Sequence, residues 1–156
     1  MFMNYIVYTD GACSVSKQLG GYAAIAKYES QQIVIHGSKE KATNNEMELL
    51  AVVSIMRLLV RFIKPNDTVI IYSDSAYVVN AMQNKWYIGW QNNGWKTADR
   101  KDVRNKKLWQ ELISYCKKNN IIFAKVKGHS GVKLNEVVDK LASKEVDLLK
   151  EKQLED

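Results

Sequence analysis

Three β-prone runs follow one another with no helical period between them, and only then does the period change. Tyr5-Ile6-Val7-Tyr8-Thr9 is a nearly continuous apolar run that ends at Asp10-Gly11, as a strand running into a turn does. Gly20-Gly21 opens a second run over Tyr22–Tyr28, and Glu29-Ser30 separates it from a third over Gln31–Ser38. Strands joined this closely pair antiparallel, so the chain is expected to begin with a meander. From Thr43 onward, Met47, Leu50, Ala51, Ser54, Ile55, Leu58 and Phe62 recur at three- and four-residue spacing, the apolar stripe of an amphipathic helix. Thr43-Asn44-Asn45-Glu46 has the form of a capping box, in which hydroxyl and carboxylate satisfy each other's free backbone donors. Pro65-Asn66-Asp67 ends the element.

Beyond that helix, strands and helices alternate. Thr68–Ser73 reads as a strand that runs into Asp74, Ser75–Asn84 as a short helix, Leu108–Lys118 as a helix and Ile121–Lys127 as the last strand. Leu134–Leu149 carries Leu134, Val137, Val138, Leu141 and Leu148 as a final amphipathic helix, and the tail 150–156 is expected to fray. A meander followed by alternating strands and helices predicts an α/β fold with a mixed sheet and helices packed on it. The length of 156 residues, with neither repeat nor linker, predicts one domain over residues 1–150.

Composition excludes several classes. With 46% apolar residues, eight glycines and a single proline, the chain is neither disordered nor fibrous. Runs such as Val69-Ile70-Ile71 fall far short of the ~20 residues that a membrane-spanning helix needs. Met1-Phe2-Met3-Asn4 does not start a secretory signal pattern, so the cytoplasm is the expected compartment, with Cys13 and Cys116 as reduced thiols. Two histidines and two cysteines this scattered do not make a zinc site, and neither GxxxxGK[ST] nor GxGxxG occurs.

Carboxylates are the candidate chemistry. Asp10 and Asp74 each follow an apolar strand, and ligands of open α/β sheets bind at that rim. Asp74 stands directly before a helix and is equally readable as its cap. Glu48 shares a helix face with Val52, Ile55 and Leu59, where glutamate is seldom buried without a partner, and Asp139 lies one turn into its helix. For both, an interaction with the positive helix end is the plainer alternative. Four such groups in one pocket would repel unless cations held them, and an all-oxygen set suits Mg²⁺ or Mn²⁺. Two such ions about 3.5–4 Å apart are the arrangement that hydrolyses phosphodiesters. His129, in Lys127-Gly128-His129-Ser130-Gly131, is either a proton shuttle or a solvated loop residue.

Charge and tryptophan coincide in one stretch. Between Lys85 and Lys107, where the apolar period is lost, seven cations stand against Asp99 and Asp102, which accounts for five of the six net positive charges of the chain. Trp86, Trp90 and Trp95 fall in the same stretch. Cations meet phosphates and indoles offer faces to bases or sugars, so the segment reads as a nucleic-acid contact. The alternative is a solvated amphipathic helix with its tryptophans on the core, a reading that suits Trp109 better than the other three.

Ordered motifs along nearly the whole chain resemble type 1 ribonuclease H of the bacterial kind. They are Tyr8-Thr9-Asp10-Gly11, Gly20-Gly21-Tyr22, Thr43-Asn44-Asn45-Glu46-Met47-Glu48-Leu49, Ser73-Asp74-Ser75, Gly94-Trp95-Lys96-Thr97-Ala98-Asp99, Val126-Lys127-Gly128-His129-Ser130-Gly131, and Asn135-Glu136 with Asp139. The resemblance implies a five-stranded mixed sheet, three strands antiparallel and two parallel. It implies two-metal hydrolysis of the RNA strand of an RNA/DNA hybrid, leaving 5′-phosphate and 3′-hydroxyl ends. Asp10, Glu48, Asp74 and Asp139 would then hold two Mg²⁺ ions, Mn²⁺ being able to substitute, and His129 would assist proton transfer or product release. Asn44 and Asn45 would lie by the 2′-hydroxyls. The Lys85–Lys107 segment would be a basic protrusion that grips the DNA strand, with Trp86, Trp90, Trp95, Lys96, Thr97, Arg100 and Lys101 as substrate contacts. The expected state is a monomer.

Three features depart from the family pattern. Ser14–Leu19 replaces a turn usually rich in glycine, proline and asparagine, Glu46 stands where many bacterial members carry arginine, and the stretch after Asp74 is one residue longer before Trp86. Rival readings are a hybrid-binding module without activity and a nuclease-fold relative that cuts another nucleic acid, such as a four-way junction.

Overall fold

The computed structural model describes residues 2–126 and 133–155. Strands β1 (Asn4–Ser14), β2 (Leu19–Tyr28) and β3 (Gln31–Lys39) form the expected meander, each pair antiparallel. Helix α1 (Asn44–Leu59) follows, then β4 (Thr68–Ser73), α2 (Ala76–Gln83), α3 (Trp86–Asn92), α4 (Lys106–Lys118), β5 (Asn120–Lys125) and α5 (Lys133–Glu155). The sheet order is β3-β2-β1-β4-β5, with β4 parallel to both β1 and β5. This is the five-stranded mixed sheet expected from the sequence.

Alternation along β2 builds the two cores. Ala24 and Ala26 face the larger cluster, with Leu49, Val52, Ile55 and Met56 of α1 and Trp109 and Leu112 of α4. Ala23 and Ile25 face Val138 and Ala142 of α5 on the other side. Successive strand side chains point to opposite faces, so α1 and α5 sandwich the sheet. Among the described residues no helix is long and apolar enough to cross a membrane.

Two boundaries and one packing relationship correct the sequence reading. β1 does not stop at Asp10-Gly11 but runs to Ser14, because β2 keeps pairing with it after β4 has ended; Thr9↔Ser73 is the last parallel pair, whereas Asp10↔Ala23 to Ser14↔Leu19 continue the antiparallel ladder. Helix α5 does not end at Leu149 but continues to Glu155, since Lys150 to Glu155 contains good helix formers and neither glycine nor proline to stop it. The protrusion is also not wholly apart from the core, as its tryptophans show below.

Candidate active site and nucleic-acid interface

The end of β4 brings the carboxylates together. Where parallel pairing stops, β1 and β4 diverge, and Asp10 and Asp74 stand beside that gap. Ser75, not Asp74, caps α2: its hydroxyl accepts the Val78 N–H at 3.2 Å. Asp74 is thereby left to the rim. Thr43 caps α1 by accepting the Glu46 N–H at 3.2 Å, and one turn later Glu48 points at β1. The other half of the expected capping box is replaced, because Glu46 Oε2 turns to Lys39 Nζ at 2.9 Å.

Asp10, Glu48 and Asp74 each place an oxygen within 4.8 Å of the other two. Asp10 is the hub, close enough to share hydrogen bonds with Glu48 and with Asp139 of α5. The Gly11 N–H donates to Asp10 Oδ1 at 2.9 Å and to Glu48 Oε2 at 3.1 Å. Asp10 and Glu48 are only 4% and 7% exposed. Burial, then the neighbouring Asp74 charge, pushes the Asp10 carboxyl up to about 8; burial, then Asp10, pushes Glu48 up to about 9. Oxygen-only donors that resist carrying charge side by side suit a hard divalent cation, whose charge restores the ionised forms.

Beside this cluster a cleft of about 460 Å³ separates the start of α1 from the root of the protrusion. Asn44 and Asn45 line it, as does the whole turn Thr43–Glu46, together with Lys39, Lys41, Tyr77, Arg104 and Asn105. The sequence reading had not singled out Lys39, Lys41, Tyr77 or Asn105. Two lysines within four residues of Thr43 were the available signal for the first pair. Tyr77 and Asn105 carried none, since their meeting is tertiary: Tyr77 Oη accepts from Asn105 Nδ2 at 3.1 Å and from Trp109 Nε1 at 2.8 Å.

The protrusion divides its residues between core and solvent. Trp90 packs on Trp109 with ring centroids 5.3 Å apart and on Trp95 at 5.8 Å, and both Trp90 and Trp95 are partly buried against the main core. Those two indoles anchor the protrusion, which the sequence reading allowed mainly for Trp109. Trp86 is 43% exposed. A tight loop presents the cations: Thr97 N–H donates to the Lys101 carbonyl at 2.8 Å, Arg100 N–H to the Thr97 carbonyl at 2.9 Å, and Lys96 pairs with Asp102. Arg100 adopts a left-handed φ of 64° at the loop tip. Lys96, Arg100 and Lys101 are exposed. A second cleft, lined by Tyr77, Trp90, Thr97, Lys101 and Arg104 among others, joins loop to body. His129 lies outside the described residues, as does Lys127, expected to end the last strand.

Comparison with known proteins agrees with this geometry. The family model RNase H matches residues 3–147. A protein of Caldicellulosiruptor saccharolyticus named Ribonuclease H is 44% identical over 137 residues, covering 88% of this chain and 92% of its own. Another with that name, from Francisella tularensis subsp. novicida, is 45% identical over 141 residues and 90% of each chain. The crystal structure of LC9-RNase H1, described as a type 1 RNase H with the type 2 active-site motif, superposes with a TM-score of 0.82 at 25% identity, over 94% of this chain and 74% of that one. With the sheet, the carboxylate cluster and these similarities in agreement, the chain belongs to the ribonuclease H family of hydrolytic nucleases.

Proposed function

We propose that this protein cuts the RNA strand of RNA/DNA hybrids, leaving 5′-phosphate and 3′-hydroxyl ends, as a monomer in the cytoplasm. Asp10, Glu48, Asp74 and Asp139 hold two Mg²⁺ ions, for which Mn²⁺ can substitute. The observation that carries this reading is the convergence of three carboxylates within 4.8 Å, with Asp139 close enough to act on Asp10, while the first turn of the helix that carries Glu48 lines a cleft with Lys39, Lys41 and Arg104. Bound there, the ions supply an activated water and neutralise the charge that develops on the leaving oxygen.

The remaining residues bind and orient the duplex. Asn44 and Asn45, exposed at the start of α1, offer side-chain amides to 2′-hydroxyls, the groups that mark RNA. Lys41 and Arg104 in the cleft, and Lys96, Arg100 and Lys101 on the protrusion, meet backbone phosphates. Thr97 shapes the loop that presents them, and Trp86 offers an indole face, while Trp90 and Trp95 hold the protrusion against the body. His129 takes the proton-transfer or product-release role.

The test is cleavage of end-labelled RNA/DNA hybrid, double-stranded RNA, double-stranded DNA and a four-way junction, each with and without Mg²⁺. The expected result is Mg²⁺-dependent cutting of the RNA in the hybrid alone. Binding of hybrid without cutting, or preferential cutting of the junction, overturns the reading.

A further inference from the structure

One acidic side chain stands among the cations of the cleft. Lys39, Lys41 and Arg104 line it with Glu46, whose Oε2 lies 2.9 Å from Lys39 Nζ. Other carboxylates also pair with cations on this side of the molecule, but they differ in exposure. Asp102 and Asp99, the partners of Lys96 and Lys101, have side chains 69% exposed, whereas that of Glu46 is 19% exposed. A sheltered carboxylate is screened less by salt and water than an open one, so its hold on a lysine is stronger. Lys39 itself is 44% exposed, which leaves its ammonium within reach of a ligand entering the cleft. The Thr43 cap on the Glu46 backbone keeps the acidic residue in the first turn of α1.

From this arrangement we infer that Glu46 is an internal counter-ion that competes with a nucleic-acid phosphate for Lys39. In the free protein the carboxylate occupies the place on Lys39 that a backbone phosphate would take. Binding of a duplex therefore exchanges one anion for another at Lys39 and leaves Glu46 facing the incoming negative charge. Such an exchange releases fewer condensed counterions than a free lysine would, so Glu46 lowers both the affinity and its dependence on salt. The inference rests on the hybrid-binding reading above and deepens it by naming the residue pair that sets the strength of binding.

The experiment is a double-mutant cycle with Glu46→Gln, Lys39→Ala and the double variant. Each binds a short fluorescent RNA/DNA hybrid in EDTA over a series of KCl concentrations, and melting temperatures are recorded alongside. Glutamine keeps the shape and the capped backbone N–H but removes the charge. Glu46→Gln is expected to tighten binding roughly two- to fivefold at low salt, the equivalent of one partly exposed ion pair. It should also steepen the slope of log affinity against log salt by about 0.7–0.9, one added phosphate contact. Lys39→Ala is expected to change little in the natural background and, in the Glu46→Gln background, to abolish the added salt slope and most of the gain in affinity. Equal affinity and slope for Glu46→Gln and the natural protein overturn the inference, as does the same loss from Lys39→Ala in both backgrounds. The hybrid reading fails differently, by absent cleavage or by no preference of the natural protein for hybrid over double-stranded DNA, whatever the variants do.

Discussion

Gly11 of β1 and Glu48 of α1 are joined by a 3.1 Å hydrogen bond from the glycine N–H to Oε2, and their backbones touch: a Cβ on Gly11 would lie on the Glu48 nitrogen. The glycine is thus what lets the first turn of α1 close on the strand and carry its carboxylate to Asp10. Gly11→Ala should push the helix start away, costing about 1–3 kcal/mol in the manner of an overpacked core. The measurement is a thermal melt together with the Mg²⁺ concentration that half-restores hybrid cleavage. An unchanged melting temperature and an unchanged Mg²⁺ requirement would show that the contact is slack.

Asp10→Asn removes the hub charge at nearly constant shape. It should abolish Mg²⁺-dependent cleavage of hybrid while leaving hybrid binding in EDTA largely intact. Substantial Mg²⁺-dependent turnover in this variant removes Asp10 from the chemistry.

The raised carboxyls also link stability to pH. Asp10 and Glu48 hold protons more tightly when folded than when unfolded, so the stability they contribute is complete below about pH 4 and is lost as pH rises through about 8 and 9. In EDTA the melting temperature should therefore fall between pH 6 and pH 9, at about 2–4 °C per kcal/mol lost. Mg²⁺ should recover it by binding only the folded form, and Asp10→Asn should flatten the fall in EDTA. Scanning calorimetry at several pH values, with and without Mg²⁺, tests the sign; a melting temperature that rises across this range contradicts it.

The exposed cations of the protrusion give a salt-dependence prediction. Replacing Lys96, Arg100 and Lys101 with alanine should weaken hybrid binding at low salt and flatten the slope of log affinity against log salt by about 0.7–0.9 for each cation that meets a phosphate. Lys96, already paired with Asp102, should contribute least of the three. If the slope stays the same, the protrusion does not hold the duplex.

Tyr77→Phe should cost stability without changing the shape of the core. Its hydroxyl accepts from the fully buried Trp109 Nε1 and from Asn105, and removing that oxygen strands a buried indole N–H at a cost of about 1–3 kcal/mol. Urea unfolding should show a lower midpoint at the same slope. A midpoint equal to that of the natural protein means that the indole N–H finds another acceptor.

Local pattern decided most of the architecture. The meander, the two parallel strands and the long helices were legible because strand and helix periods are written in consecutive residues, and Thr43 announces the start of α1 by its chemistry. The motifs that carry the family resemblance also pointed to Asp10, Glu48, Asp74 and Asp139, for the last three of which spacing left helix-end alternatives open. What spacing alone could not say was that residues up to 129 positions apart share one hydrogen-bonded cluster, or that burial drives two of them towards the protonated form. That outcome depends on where β4 stops pairing with β1, and strand length is set by partners rather than by the strand's own sequence. Likewise Trp90 and Trp95 read as surface aromatics among lysines, and only the packing of Trp90 on Trp109, and of Trp95 on Trp90, made them anchors. The amino-acid order determined which elements form and which chemistry they carry; the tertiary structure alone decided which charges face each other, because desolvation and Coulomb energy depend on distances through space and not along the chain.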